Sequence, residues 1–244
     1  MSKNGERFYL TTRQSKSYNK ATKFVGKGDI MATTIYLIRH GQSLGNLEGR
    51  FLGHTDWDLT ELGVSQAECT ASFFDDIHLD AVYASDLKRA FNTAKAIADK
   101  KKLSVIPEKR FRELYAGKWE MMRFEDIPKE FPDSWRDWQN ANTSTLRAPE
   151  GESMQELFER VYAALLQIAE KHDGQAVAIG LHATPIRLVL NHIAKRDLCE
   201  LYKTPWVSNA SVTALKFENS EFTVIFSDEC AHLGEIKTTL PSGV

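Results

Sequence analysis

Apolar positions along this chain follow two alternating rhythms. Short runs rich in apolar and β-branched residues, at 33–38 (TTIYLI), 80–84 (DAVYA), 103–106 (LSVI) and 176–181 (AVAIGL), read as buried strands. Between them, apolar residues recur every three or four positions, the spacing of a helix with one buried face. Thr60 is placed to cap one such helix, with Val64, Ala67, Ala71 and Phe74 inward. Ser85 or Asp86 is placed to cap a second, with Leu87, Ala90, Ala94 and Ile97 inward. Ser153-Met154-Gln155-Glu156 has the form of a capping box, and the helix it opens buries Leu157, Val161, Ala164, Leu165 and Ile168. Pro185 suits the first turn of a fourth helix. Near the end, 211–217 and 222–226 flank the turn-like Glu218-Asn219-Ser220-Glu221, the pattern of an antiparallel hairpin. The alternation predicts an α/β fold: a mostly parallel central sheet flanked by helices, with an antiparallel edge. Residues 117–149 break the rhythm yet hold Trp119, Met121, Met122, Phe124, Phe131, Trp135 and Trp138, and read as a helical insertion over the active site.

Composition narrows the class. With 244 residues, 42% of them apolar, the chain is long enough to bury a full core as one large domain. The net charge of −2 hides an asymmetry, because residues 1–30 carry seven Lys or Arg against two acidic residues, a net of +5 that leaves −7 for the remainder. Those first thirty residues show neither periodicity and read as a basic, disordered leader, with the folded domain expected over 31–244. The acidic body gives no reason to expect a nucleic-acid partner. No apolar run approaches the roughly 18 residues of a membrane span, so no membrane partner is expected. Cys69, Cys199 and Cys230 are odd in number and widely spaced, which argues against disulfides or a structural metal site and for a cytoplasmic location.

In open α/β sheets ligands bind beyond the carboxyl ends of the strands, so polar residues that follow the strands are the first functional candidates. Arg39-His40-Gly41 follows the first run, Ser85 to Arg89 the second, Arg110 to Glu113 comes shortly after the third, and His182 follows the fourth. Two arginines, two histidines and a carboxylic acid on one rim meet the demands of phosphoryl transfer, where negative charge is spread over three equatorial oxygens. A neutral imidazole, His40, can attack phosphorus. Arg39 and Arg89 offer forked donors that stay charged at any working pH. His182 adds a donor, and Glu113 is the candidate to protonate the leaving oxygen, with Glu108 and Glu120 as nearby alternatives. Of the other histidines, only His54, beside Gly53, is read as more than surface or packing. Asp56-Trp57-Asp58-Leu59-Thr60 fits the D-x-D-x-T pattern of magnesium-dependent aspartyl phosphatases, but it lacks the apolar strand that motif needs upstream. No cysteine opens a C-x5-R run, and neither G-x-x-x-x-G-K-[ST] nor H-E-x-x-H occurs.

The ordered set Leu37-Ile38-Arg39-His40-Gly41-Gln42-Ser43, Asn46, Arg50-Phe51-Leu52-Gly53, Ser85 to Ala90, Arg112-Glu113-Leu114, Gly151-Glu152-Ser153, His182 and Asn209 to Val212 resembles the histidine phosphatase superfamily, the phosphoglycerate mutase-like family. The resemblance covers nearly everything after Met31. It implies that His40 becomes phosphorylated, that Arg39, Arg89 and His182 form the phosphate pocket with Asn46 in contact, and that Glu113 is the proton donor. Gly41 and Gly53 would let backbone approach the ligand. One departure is Leu181-His182-Ala183-Thr184, where many relatives carry Gly-Gly or a second small polar residue. The expected activity is a metal-independent phosphatase for small phosphate monoesters, with no cofactor and a small phosphorylated metabolite as partner; the chain could pair as a homodimer. The alternative is a phosphoglycerate mutase dependent on 2,3-bisphosphoglycerate, which the absence of the mutases' longer inserted and C-terminal segments disfavours.

Overall fold

The computed structural model describes residues 32–140 and 147–238. Expectations for the leader over 1–30 lie outside the described residues.

Six strands form one sheet: β1 (Thr33–Arg39), β2 (Ala81–Ala84), β3 (Val105–Pro107), β4 (Ala176–Leu181), β5 (Val212–Glu218) and β6 (Glu221–Glu229), in the order β3-β2-β4-β1-β5-β6. The first four of that order run parallel, while β5 pairs antiparallel with β1 and β6 antiparallel with β5. The antiparallel edge is therefore the expected hairpin, and it turns on Asn219 and Ser220, both at positive φ (53° and 63°). β4 is buried along nearly its whole length, which explains its continuous apolar run: a central parallel strand is covered on both faces.

Helices cover both faces. Ile35, Leu37, Val177 and Ile179 point to one side, where they pack with Leu157, Val161, Leu165 and Val189 from α6 (Met154–Lys171) and α7 (Ala183–Ile193). Ile38, Val82 and Ala178 point to the other, against Ala71 of α2 (Glu61–Phe73), Phe74 at its C-cap, and Ala94 and Ile97 of α3 (Lys88–Lys101). The remaining helices are short: α1 (Leu44–Glu48), α4 (Ile127–Glu130) and α5 (Pro132–Asn140). No helix among the described residues is long and apolar enough to cross a membrane.

The caps locate the differences from expectation. Thr60 caps α2 by accepting from the Gly63 amide, and Ser153 forms the capping box of α6 with Glu156. Val64 is exposed, because the buried stripe of α2 runs through Gly63, Ala67, Thr70 and Ala71 and leaves Val64 one 100° step aside. Neither Ser85 nor Asp86 caps α3. Its N-cap is Leu87, with no side-chain cap bond, and the Lys88 amide donates instead to Asp56, 32 residues upstream, at 2.7 Å. Ser85 and Asp86 are otherwise engaged, Ser85 with His182 and Asp86 with Arg112.

The aromatic insertion builds a satellite core. Trp119 and Ile127 are fully buried with Ala116 and Ala148, and Phe124, Trp135 and Trp138 pack onto them from the partly exposed side.

Candidate active site

Register places the chemistry. β1 and β4 pair with Arg39 opposite Leu181, so the residues that follow, His40 and His182, leave the sheet side by side. Their rings meet edge to face at a centroid separation of 5.2 Å. β2 lies on the other flank of β4, with Ala84 opposite Gly180, so the next residue, Ser85, reaches His182 Nε2 at 2.9 Å.

His40 is 5% exposed and its main chain is fixed on three sides. Its amide donates to the Leu181 carbonyl at 3.0 Å, and its carbonyl accepts from the Ala210 amide and from Asn209 Nδ2. His40 Nδ1 lies 2.7 Å from the Gly41 carbonyl oxygen. A carbonyl only accepts, so Nδ1 carries the hydrogen, and in the neutral ring Nε2 holds the free lone pair. Burial, followed by the positive charges of Arg89 and Arg39, holds this imidazole well below the usual histidine range. It is therefore neutral and nucleophilic at neutral pH.

Arg39 and Arg89 are buried without a carboxylate opposite them: among the described residues neither forms an ion pair. Arg39 Nη1 donates to the Val207 carbonyl at 2.6 Å, and its Nε has no partner among the described residues. Arg89 donates from Nη1 to the Thr55 carbonyl (2.9 Å) and from Nη2 to the Gly53 carbonyl (2.8 Å). Burial pulls both guanidinium groups down to about 10, with the charge of Glu113 opposing the shift. Both stay charged at neutral pH. Two buried cations held only by neutral carbonyls leave a positive potential that an anion would complement.

His182 is fully buried and does not itself line the cavity. Ser85 Oγ accepts from the Leu87 amide at 3.3 Å and lies within hydrogen-bond distance of His182 Nε2. The other ring nitrogen, Nδ1, is a buried atom with no partner among the described residues. Burial first, then Arg89 and His40, holds this ring below its usual range as well.

Glu113 lines the cavity. Its Oε1 accepts from the Leu114 amide at 2.8 Å and its Oε2 from the Thr184 amide at 3.4 Å. Two side chains hold its main chain. Arg160 donates to the carbonyls of Arg110, Arg112 and Glu113 at 2.7–2.8 Å and forks onto Glu152. His54 Nε2 donates to the Glu113 carbonyl at 2.9 Å, which makes His54 a support for Glu113. The two alternative acids have other partners. Glu120 accepts from the His54 and Ala116 amides and the Thr55 hydroxyl, and Glu108 is forked by Arg110.

Asn46 lines the cavity too, in the first turn after Ser43. Amide hydrogens of Ser43 and of the Asn209 side chain both converge on Asn46 Oδ1, fixing its orientation, and its side-chain nitrogen Nδ2 makes no hydrogen bond to the described residues. Gly53 has φ +52° and lines the cavity, yet the space it saves faces protein: a Cβ there would lie 2.2 Å from Glu120 Oε1. Likewise a Cβ on Gly41 would lie 2.4 Å from the Gly63 carbonyl. Both glycines are thus demanded by close contacts within the chain.

The cavity has a volume of about 540 Å³. Its floor carries Arg39, His40, Arg89 and Glu113, and its walls include Phe51, Phe124, Trp135, Trp138 and Trp206. The insertion is thus core on one side and cavity wall on the other. Arg187, also in the lining, was not expected from the sequence; a lone arginine inside the apolar run Ile186 to Leu190 was its available signal. Arg160 had none beyond its place beside the buried stripe of α6. Asp56 and Asp58 are engaged at α3, with Lys88 and Asn92, and lie outside the cavity lining. Among the described residues no three His, Cys, Asp or Glu side chains converge as a metal site.

The description of the histidine phosphatase superfamily (branch 1) matches residues 35–228. Phosphoserine phosphatase 1 of Hydrogenobacter thermophilus is 32% identical over 201 residues, 82% of this chain and 94% of its own. Phosphoglycerate mutase-like protein 4 of Arabidopsis thaliana is 30% identical over 210 residues, 85% of this chain and 90% of its own. Among solved structures, Bacillus stearothermophilus YhfR superposes with a TM-score of 0.77 at 27% identity, covering 82% of this chain and 99% of that one. The chain belongs to the histidine phosphatase superfamily, and as an enzyme it is a phosphoric monoester hydrolase.

Proposed function

We propose that this protein hydrolyses small phosphate monoesters without a metal ion, through a phosphohistidine on His40. The observation that carries the reading is the tautomer of that ring: Nδ1 is engaged by the Gly41 carbonyl at 2.7 Å, and Nε2 is left as the nucleophile between two buried, unpaired arginines. Nε2 attacks phosphorus in line with the leaving oxygen. Arg39 and Arg89 hold the equatorial oxygens, with His182 packed behind His40 and Asn46 at the rim. As the P–O bond breaks, Glu113 gives its proton to the alkoxide. The Glu113 carboxylate then takes a proton from water, which attacks the phosphohistidine, and the P–N bond breaks to return neutral His40 and inorganic phosphate. The relative named a phosphoserine phosphatase supports hydrolysis, and the free state of Cys69, Cys199 and Cys230 suits a cytoplasmic location.

Rapid quenching with a 32P-labelled monoester is the test. The expected label is acid-labile and base-stable, lies on the peptide containing His40, and disappears in His40→Ala, while EDTA leaves turnover intact. Label on Asp56, or loss of turnover with EDTA, overturns the mechanism. Interconversion of 3- and 2-phosphoglycerate with 2,3-bisphosphoglycerate present, and without phosphate release, would replace hydrolysis by the mutase reading.

A further inference from the structure

A run of side-chain hydrogen bonds links Gln42 to His40 by way of three residues that do not line the cavity, Gln66, Thr238 and Asn209. It begins at the Gln42 amide, which donates to Gln66 Oε1 at 2.8 Å. Gln66, fully buried on α2, donates from Nε2 to the Thr238 hydroxyl at 2.9 Å and to the Ile236 carbonyl at 2.7 Å. The Thr238 hydroxyl donates to Asn209 Oδ1 at 3.1 Å. Asn209, 1% exposed, donates from Nδ2 to the His40 carbonyl and to Asn46 Oδ1, both at 3.1 Å. A main-chain bond runs alongside, from the Asn209 amide to the Thr238 carbonyl at 3.1 Å.

Both ends of the run are main-chain groups, and this fixes the direction of every bond between them. The Gln42 amide only donates, so Gln66 turns Oε1 to it and Nε2 to Thr238. The His40 carbonyl only accepts, so Asn209 turns Nδ2 to it and Oδ1 to Thr238. Position 238 must therefore accept from one side-chain amide and donate to another through a single atom, which a hydroxyl does and an apolar side chain does not. Without the hydroxyl Gln66 keeps the Ile236 carbonyl, but Asn209 Oδ1 has no other partner among the described residues. Resting on the phosphatase reading above, we infer that Thr238 is a positioning residue: its hydroxyl orients the Asn209 amide, which in turn sets the His40 main chain and leaves Asn46 Nδ2 facing the phosphoryl oxygens. A reversed Asn209 would set its oxygen against two acceptors, the His40 carbonyl and Asn46 Oδ1, and both contacts would be lost.

Thr238→Val removes the hydroxyl at nearly constant volume, and Thr238→Ser keeps it. Hydrolysis of p-nitrophenyl phosphate and calorimetric binding of inorganic phosphate are measured on the full-length protein. Thr238→Val is expected to lower kcat/KM and weaken phosphate binding by roughly three- to tenfold each, the range for one neutral hydrogen bond, while Thr238→Ser stays within about twofold of wild type. Asn209→Ala should be impaired in both measurements, and adding Thr238→Val to it should cost nothing further, because the hydroxyl acts through Asn209. A hydroxyl that only anchors its own segment predicts otherwise: a lower urea midpoint for Thr238→Val with kcat/KM and phosphate affinity of the folded protein unchanged, or losses that add in the double variant. Either result overturns the proposal, as does a Thr238→Ser protein as impaired as Thr238→Val. Should Thr238→Val not fold, Thr238→Ala removes the same hydroxyl and takes its place in the cycle. If the wild type releases no phosphate from p-nitrophenyl phosphate or an alkyl phosphate, the phosphatase reading fails, and the phosphate affinities of the same variants still decide whether Thr238 positions the site.

Discussion

Replacing Arg160 with lysine separates the scaffold of Glu113 from its chemistry. Arg160 donates five hydrogen bonds, three to the carbonyls of Arg110, Arg112 and Glu113 and two to Glu152, all between 2.6 and 2.8 Å. Lysine keeps the charge but not the planar fork, and from one stem it can satisfy about two of the five. Hydrogen bonds to a charged group contribute roughly 1.5–3 kcal/mol each, so three lost bonds would cost about 5 kcal/mol if the site were dry. The side chains of Arg160 and Glu152 are 20% and 15% exposed, so water repairs part of the loss. The expected destabilisation is about 2–3 kcal/mol, read as a fall of roughly 1 M in the urea midpoint for a slope near 2 kcal/mol/M. In the folded variant, hydrolysis of alkyl phosphates, which need a proton on the leaving oxygen, should slow more than hydrolysis of p-nitrophenyl phosphate. A midpoint shift below about 0.3 M, or equal slowing of both esters, would refute the idea that Arg160 holds the acid through its main chain.

Glu113→Gln should lower kcat for alkyl phosphates by about 10²-fold or more while sparing good leaving groups, the usual range for positioned acid catalysis; stopped-flow assays with both ester types decide, and equal losses move the acid elsewhere. For His40 and His182, burial lowers both folded values below 6.5, so the unfolded chain binds the extra protons and stability is lost as pH falls below that value. The slope approaches about 1.4 kcal/mol per pH unit for each histidine until its folded value is reached. Thermal melts between pH 7.5 and 5 should show Tm falling, and a flat profile contradicts the burial of two neutral rings. Gly53→Ala forces a left-handed φ and drives a methyl group onto Glu120, for an expected cost of about 2–4 kcal/mol. A Tm within about 2 °C of wild type would show that the turn relaxes freely.

Much of the site was legible because each of its principal residues directly follows an apolar strand, or lies in a short motif close behind one. Arg39, His40, Asn46, Arg89 and Glu113 all line one cavity, and His182 touches His40 from within the core. The strands, the hairpin and the capped helices were legible for the same local reason: period and cap chemistry are written within a few residues. What was not legible is long-range. The donor at the start of α3 finds its acceptor on Asp56, so no local pattern could show that Ser85 was free for His182. Arg160 looks like an ordinary solvent-facing residue of α6 until 110–113 folds against it. Gly41 and Gly53 announce tight backbone, yet only the fold says that the neighbour is protein. In the insertion, the aromatic residues share one composition but divide between a buried centre around Trp119 and a cavity wall at Trp135 and Trp138.

Pairing of β1 with β4, Arg39 opposite Leu181, also determines which parts of the molecule are free to vary. The separation of the two histidines is set by the spacing of adjacent strands in the middle of the sheet, where a one-residue insertion would turn a side chain to the wrong face. Much of the cavity wall comes from elsewhere, from α5 and the stretch around 198–206, neither of which contributes a strand. Reaction and selectivity are thus carried by separable pieces of chain. Exchanging those two wall segments for those of another protein with the same sheet should redirect which ester is accepted while leaving His40 and its neighbours in place, and it offers a route to new substrates that does not touch the cavity floor.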